Sequence, residues 1–169
     1  MRSYKQNNIP PRDRYNRPIS DLRVSLLDQC NFRCTYCMPE REFHSEYQFL
    51  KKHQRLSHEE IFRIVKIAVE LGVTKVRLTG GEPLLDKNIS KLINLISQVE
   101  EIEDLALTTN GVLLRKHAND MMKAGLHRIT ISLDSIDEVI FNKMNGNRAS
   151  VREVLDGIEA AENAGFDKI

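Results

Sequence analysis

From residue 22 to the C-terminus the sequence alternates short β-rich runs with helical ones, and no other feature constrains the fold more. Residues 22–28 (LRVSLLD), 74–79, 104–108 and 128–133 read as strands, and a polar or glycine-bearing loop and then a helical pattern follow each. Ser57 and Glu60 form a capping box ahead of IFRIVKIAVEL, whose apolar residues 61, 64, 65, 68 and 69 recur at helical spacing, and Gly72 stands at the stop. Further helices are expected near 88–99, 113–124 and 136–144. Another starts at Ser150, where Glu153 completes a second capping box and Gly165 marks the end. The closing FDKI reads as the start of a fifth strand.

Strand, crossover and helix in units of about 30 residues specify a parallel sheet with right-handed connections, either open and doubly wound or curled toward a barrel. In both architectures ligands collect at the carboxyl ends of the strands. A cysteine-bearing loop, GGEP, TTNG and SLDS each directly follow an expected strand, so these four motifs share one rim, and that rim is a binding or catalytic cleft. Four parallel strands with a fifth barely begun leave an open edge and an uncovered apolar face, which points to truncation of a larger enzyme.

Composition narrows the possibilities. A chain of 169 residues, 41% apolar and 29% charged, builds one domain with a real core. A formal charge of +1 excludes a broad nucleic-acid surface. Residues 1–20 are locally basic (Arg2, Lys5, Arg12, Arg14, Arg17) and read as a solvated, mobile N-terminal arm, leaving 21–169 as the folded core. No apolar run approaches the ~20 residues needed to cross a bilayer, and Met1 is not followed by a signal-peptide apolar core, so no membrane partner and a cytoplasmic location are expected.

All 3 cysteines lie in the run CNFRCTYC, as Cys30, Cys34 and Cys37. Such crowding points to metal binding or catalysis rather than to disulfides. Three thiolates on one loop leave one corner of an inorganic centre open for a ligand, where an electron-transfer cluster or a structural zinc site is closed by four. The competing possibility is zinc held by the cysteines with His44 or His53, although structural zinc ordinarily takes its cysteines in CxxC pairs. His58, His117 and His127 lack ligand-like spacing, and Met38, Met121, Met122 and Met144 read as packing residues.

CNFRCTYC resembles the CxxxCxxC signature of the radical S-adenosylmethionine (radical SAM) superfamily, with Tyr36 as the aromatic residue before the last cysteine. The resemblance implies a 4Fe–4S cluster on Cys30, Cys34 and Cys37. Its open iron binds the amino and carboxylate groups of S-adenosylmethionine, and an electron from the cluster breaks the sulfonium bond to release a 5′-deoxyadenosyl radical. Gly80, Gly81, Glu82 and Pro83 match the superfamily's GGEP motif, in which the glycines let the backbone approach the methionyl part. The implied fold is a partial (β/α) parallel barrel, truncated after about four to five strands.

Longer stretches, LRVSLLDQCNFRCTYCMP, ELGVTKVRLTGGEPLL, IEDLALTTNGVLL and AGLHRITISLDS, are similar to the GTP 3′,8-cyclase family, which performs the first step of molybdenum cofactor biosynthesis. That similarity implies that Tyr36, Gly81 and Ser132 contact S-adenosylmethionine and that Arg23, Arg77 and Thr108 contact GTP. It also implies an electron donor, a homodimer and a downstream molybdopterin-pathway enzyme as partners. Family members carry a second three-cysteine cluster and a Gly-Gly tail that this chain lacks, and the family lysine used on GTP would fall just beyond Ile169. Alternatives remain at this stage. The chain could be a radical enzyme with a peptide substrate or a zinc-stabilised binding module. Arg23 and Arg77 could pair with Asp21 or Asp134, Asn110 and Gly111 could form a plain turn, and Asp134 could cap the segment at Ser135.

Overall fold

The structure is a computed structural model that describes residues 10–169. Arg2 and Lys5 of the basic arm lie outside the described residues. Four strands, β1 (Asp21–Ser25), β2 (Lys75–Thr79), β3 (Asp104–Thr109) and β4 (Arg128–Ile131), form one parallel sheet in the order β1-β2-β3-β4. Five helices accompany them: α1 (His58–Glu70), α2 (Ile89–Ser97), α3 (Leu114–Lys123), α4 (Glu138–Asn145) and α5 (Val151–Asn163). The strand order never reverses, so right-handed crossovers deposit the helices on one side of the sheet. In keeping with this, α1 packs on α2, α2 on α3 and α3 on α5. A doubly wound sheet needs a reversal, so the observed arrangement is an arc of a (β/α) barrel.

Pleating sorts the strand residues between two faces, and register aligns them across the sheet. Leu22, Val76 and Leu105 lie side by side, as do Val24, Leu78, Leu107 and Ile129, and all belong to the core under the helices. The helices answer with Ile61 and Val65 of α1, Leu92, Ile93 and Ile96 of α2 and Met121 of α3, all buried. Intervening positions form the opposite row Arg23, Arg77, Ala106 and Arg128, flanked by Lys75 and Asp104 on one side and Thr108 and Thr130 on the other. The expectation of an uncovered apolar face is therefore corrected. The face without helices is polar, because alternation in each strand sends its charged and hydroxyl residues there.

Both expected capping boxes form. Ser57 accepts the Glu60 N–H and Ser150 accepts the Glu153 N–H, with each glutamate bonding back to its cap. Gly72 and Gly165 follow their helices at φ 103° and 99°. β1 is shorter than the apolar run predicts. Leu26 and Leu27 are buried, but beyond Ser25 the chain bonds to the loop after β2 instead of continuing the strand. The segment FDKI forms no strand, although Ile129 N donates to Lys168 O at 3.2 Å and Phe166 is buried in the core. Residues 10–19 are exposed and make local contacts. Asp13 accepts the N–H groups of Tyr15 and Arg17, and Arg12 bridges to Pro18.

Candidate active site at the carboxyl rim

The four motifs do share the carboxyl edge, and backbone contacts lock the first two together. Leu26 N donates to Thr79 O at 2.9 Å, Gly81 N to Leu27 O at 2.7 Å and Glu82 N to Gln29 O at 2.8 Å. A Cβ on Gly80 would sit 2.7 Å from Leu27 O, and one on Gly81 would sit 2.1 Å from Gln29 O. The glycines of GGEP are thus required by the approach of the chain leading into the cysteine loop, a role the motif alone did not reveal.

The cysteine loop is held from below by a small aromatic core. Phe32 is buried edge-on against Phe141 of α4, their centroids 6.1 Å apart, with Ala149, Val151 and Val154 around them and Cys30 and Cys34 packed against the cluster. Arg33 N donates to Asn145 O and Thr35 N to Met144 O, both at 3.0 Å, so the loop also caps carbonyls at the end of α4. The Arg33 guanidinium donates to Cys30 O and Phe32 O at 2.8 Å and to Phe43 O at 2.9 Å. It therefore staples the loop to the segment that follows.

Cys30 and Cys34 are half-buried and Cys37 is exposed. Burial pushes the Cys30 thiol above its ordinary range, opposed in part by the Phe32 N–H, and the charges of Glu82 and Cys37 add to the rise. Cys34 is pushed up to about 11, by burial first and then by Cys30 and Asp134. Left alone the Cys34 thiol stays protonated at neutral pH, so holding it as a thiolate calls for a cationic centre beside it. Donor set and electrostatics thus fit an iron–sulfur cluster. Among the described residues no three His, Cys, Asp or Glu side chains gather at the spacing of a single metal ion, and neither His44 nor His53 completes a zinc site with the cysteines.

Tyr36 bridges the cysteine loop to the last rim motif. Its hydroxyl donates to the Asp134 carboxylate, 3.1 and 3.0 Å from the two oxygens, and burial together with this carboxylate holds the phenol above its usual pKa. Asp134 accordingly pairs with neither arginine and caps no helix. The cap of α4 is Asp137, which accepts the N–H groups of Val139 and Ile140. Ser132 is exposed just past β4, its N–H bonded to Thr109 O at 2.9 Å, so Tyr36, Ser132 and Gly81 stand on three loops of one rim.

Glu82 and Asn110, noted in the sequence only as a motif residue and a turn residue, are buried polar residues of the rim. The Glu82 carboxylate, 1% exposed, accepts the Thr109 hydroxyl at 2.6 Å, the Asn110 N–H at 2.9 Å and the Leu84 N–H at 3.1 Å. Burial raises its pKa while these three donors oppose the rise. The glutamate in GGEP and the asparagine in TTNG were the available signals. A turn was the expectation for Asn110 and Gly111, and the fixed contacts across the rim exceed that.

Inside the arc, Arg23 and Arg77 are register partners on the polar face, and among the described residues neither is ion-paired. The carboxylates expected to neutralise them, Asp21 and Asp134, are engaged elsewhere, as is Asp104 on the same face. Asp21 accepts the Ser20 hydroxyl at 2.6 Å, Asp134 binds Tyr36, and Asp104 takes Arg128 in a two-toothed pair at 2.8 and 2.7 Å. Arg23, Arg77, Asp21, Asp104, Arg128 and Lys75 line a depression of about 230 Å³ toward the amino ends of the strands. Thr108 shares the same face nearer the rim, and its buried hydroxyl has no hydrogen-bond partner. Two guanidiniums without an ion pair and a buried hydroxyl without a hydrogen bond, among the described residues, thus lie on one face of the sheet.

The radical SAM superfamily model matches residues 24–169. GTP 3′,8-cyclase of Xanthomonas campestris pv. campestris (strain B100) is 51% identical over 160 residues, 95% of this chain and 47% of that protein. The Staphylococcus epidermidis (strain ATCC 35984) GTP 3′,8-cyclase is 47% identical over 155 residues, covering 92% and 46%. The chain spans about half the length of the curated relatives it matches. Among solved structures, Streptococcus suis SuiB bound to S-adenosylmethionine superposes with a TM-score of 0.68 at 19% identity over 86% of this chain and 32% of that one. Methylornithine synthase (PylB) gives 0.67 at 18% identity, covering 86% and 42%. Both likenesses are of fold. The family's cofactors are a 4Fe–4S cluster and S-adenosylmethionine, the pair that the electrostatics of the cysteine loop accommodate. With the arc of parallel strands, the cysteine loop on its rim and a family model that runs from β1 to the last residue, the chain belongs to the radical SAM superfamily.

Proposed function

We propose that residues 21–169 supply the radical-generating part of a GTP 3′,8-cyclase, which converts GTP to 3′,8-cyclo-7,8-dihydro-GTP at the first step of molybdenum cofactor biosynthesis. The observation that carries the substrate reading is the Arg23–Arg77 couple, without an ion pair among the described residues, on the same face as the Thr108 hydroxyl and beneath the cysteine rim. The identity to proteins named GTP 3′,8-cyclase supports it.

In this reading Cys30, Cys34 and Cys37 hold the cluster, and Tyr36, Gly81 and Ser132 frame S-adenosylmethionine. When bound, cluster and cofactor supply one-electron cleavage of a sulfonium bond and with it a radical able to abstract hydrogen from the ribose of GTP. The protein's own contribution is positional. Arg23 and Arg77 offer planar forks that stay charged at any working pH and grip phosphate oxygens, and Thr108 gives a neutral hydrogen bond beside them. That grip presents the ribose toward the rim, where orientation accounts for much of the rate. A one-electron donor, a downstream molybdopterin-pathway enzyme and a homodimeric assembly complete the proposal. The site of action is the cytoplasm, whose reducing conditions keep clustered thiols available.

The test is 5′-deoxyadenosine formation after anaerobic reconstitution with iron and sulfide under dithionite, for this chain and its Cys34→Ala variant. Product that appears only with Cys34 intact supports the radical-generating role. A chain that takes up no iron sinks it.

A further inference from the structure

Two rim loops are joined by a side-chain contact that neither the cysteine motif nor the arginine couple uses. Asn110, at the end of β3 and 8% exposed, donates through Nδ2 to Asn31 Oδ1 at 2.7 Å, across 79 residues of chain. Asn31 directly follows Cys30, and its Oδ1 lies 3.9 Å from Cys30 Sγ. Asn110 cannot turn away. Its N–H is held by Glu82 Oε2 at 2.9 Å, and its Oδ1 accepts the Val112 N–H at 3.3 Å, which leaves Nδ2 facing Asn31. Glu82 is in turn fixed by Thr109 and Leu84. A buried carboxylate therefore fixes a backbone, the backbone aims an amide, and the amide grips the neighbour of Cys30. One residue before Thr109, the same strand presents the orphaned Thr108 hydroxyl to the opposite face.

We propose that Asn110 is a positioning residue for the Cys30 corner of the cluster, acting through Asn31, so that the Thr108 face of β3 and the cluster loop move as one body. The inference rests on the reading of Cys30 as a cluster ligand. Ligand loops need a supporting shell to stay within about 0.5 Å of a working geometry, and Asn31 has this contact as its side-chain tether to another strand.

The experiment compares wild type with Asn110→Ala, Asn31→Ala, the double variant and Asn110→Asp, all reconstituted anaerobically. It reads iron release to a chelator and the electron paramagnetic resonance spectrum of the reduced cluster before and after S-adenosylmethionine is added. Each single alanine variant is expected to release iron about fivefold faster, the value of one typical buried hydrogen bond, with the double variant no faster than either. Asn110→Asp is expected to recover the wild-type rate and spectral change, because the Asn31 amide turns over and donates to the new carboxylate. A merely structural role for Asn110 produces neither the non-additivity nor this recovery. Wild-type release from a loaded Asn110→Ala chain, or additive losses, overturns the proposal while leaving the cluster assignment standing. If Asn110→Ala does not fold, Asn31→Ala decides: release at the wild-type rate overturns the proposal and faster release supports it. A wild-type chain that takes up no iron overturns the cluster reading and this inference with it.

Discussion

Gly81 shows how a single hydrogen atom sets the geometry of the rim. Replacing it with alanine places a methyl group 2.1 Å from the Gln29 carbonyl, a backbone atom with no rotamer to yield. Gly81→Ala is expected to cost about 3 kcal/mol or more in urea unfolding and to abolish cluster uptake, read as iron per chain. Asp104 makes a milder case. Its bond to Arg128 holds its pKa below the usual carboxylate range. A depressed native pKa gives stability that is present above the unfolded value and is lost as pH falls through the native one. Asp104→Asn should therefore cost about 1 kcal/mol at neutral pH, and the gap should close in strong acid, as thermal melts across pH would record. At this scale the grouping of the three cysteines on one loop was legible because they stand within eight residues of each other. The partners of Tyr36 and Asn110 were not, since a contact across 98 or 79 residues leaves no local trace.

The element that most determines the site is α4, although it touches none of the sheet's hydrogen bonds. Phe141 supports Phe32 and the helix's last carbonyls receive the cysteine loop. Phe141→Ala should cost about 3–5 kcal/mol, and iron uptake should fall with it, whereas an equally buried residue of the main core such as Met121 should lower stability with less effect on loading. Most helices were legible from period and capping signals, both of which are local. Strand ends were less so. Leu26 and Leu27 extend the apolar pattern of β1 but are buried by the GGEP backbone rather than by a continuing strand, and hydropathy does not distinguish the two. The end of the chain illustrates the same limit, for Phe166 is buried as a strand residue would be and yet only one backbone bond joins the segment to β4.

At the level of the whole molecule, alternation along every strand separates stability from binding. The helix side holds the core, and the other side holds charged residues, of which Asp104 and Arg128 pair with each other. Replacing Arg23 and Arg77 together with alanine should leave unfolding within about 0.5 kcal/mol of wild type, because neither is ion-paired among the described residues. Calorimetric titration with GTP should weaken markedly in the same variant, and wild-type binding should fall with added salt. The sequence showed that both arginines lie on strands; that they are register partners, with Asp104 and Asp134 turned to other groups, required the structure.

The strand order has a consequence for how such a protein comes into being. Each strand pairs with the one synthesised just before it, so the sheet is able to lengthen in the order in which the chain leaves the ribosome, without waiting for a distant segment. Each new helix covers the apolar side as its strand docks, and the side still bare is charged and wettable.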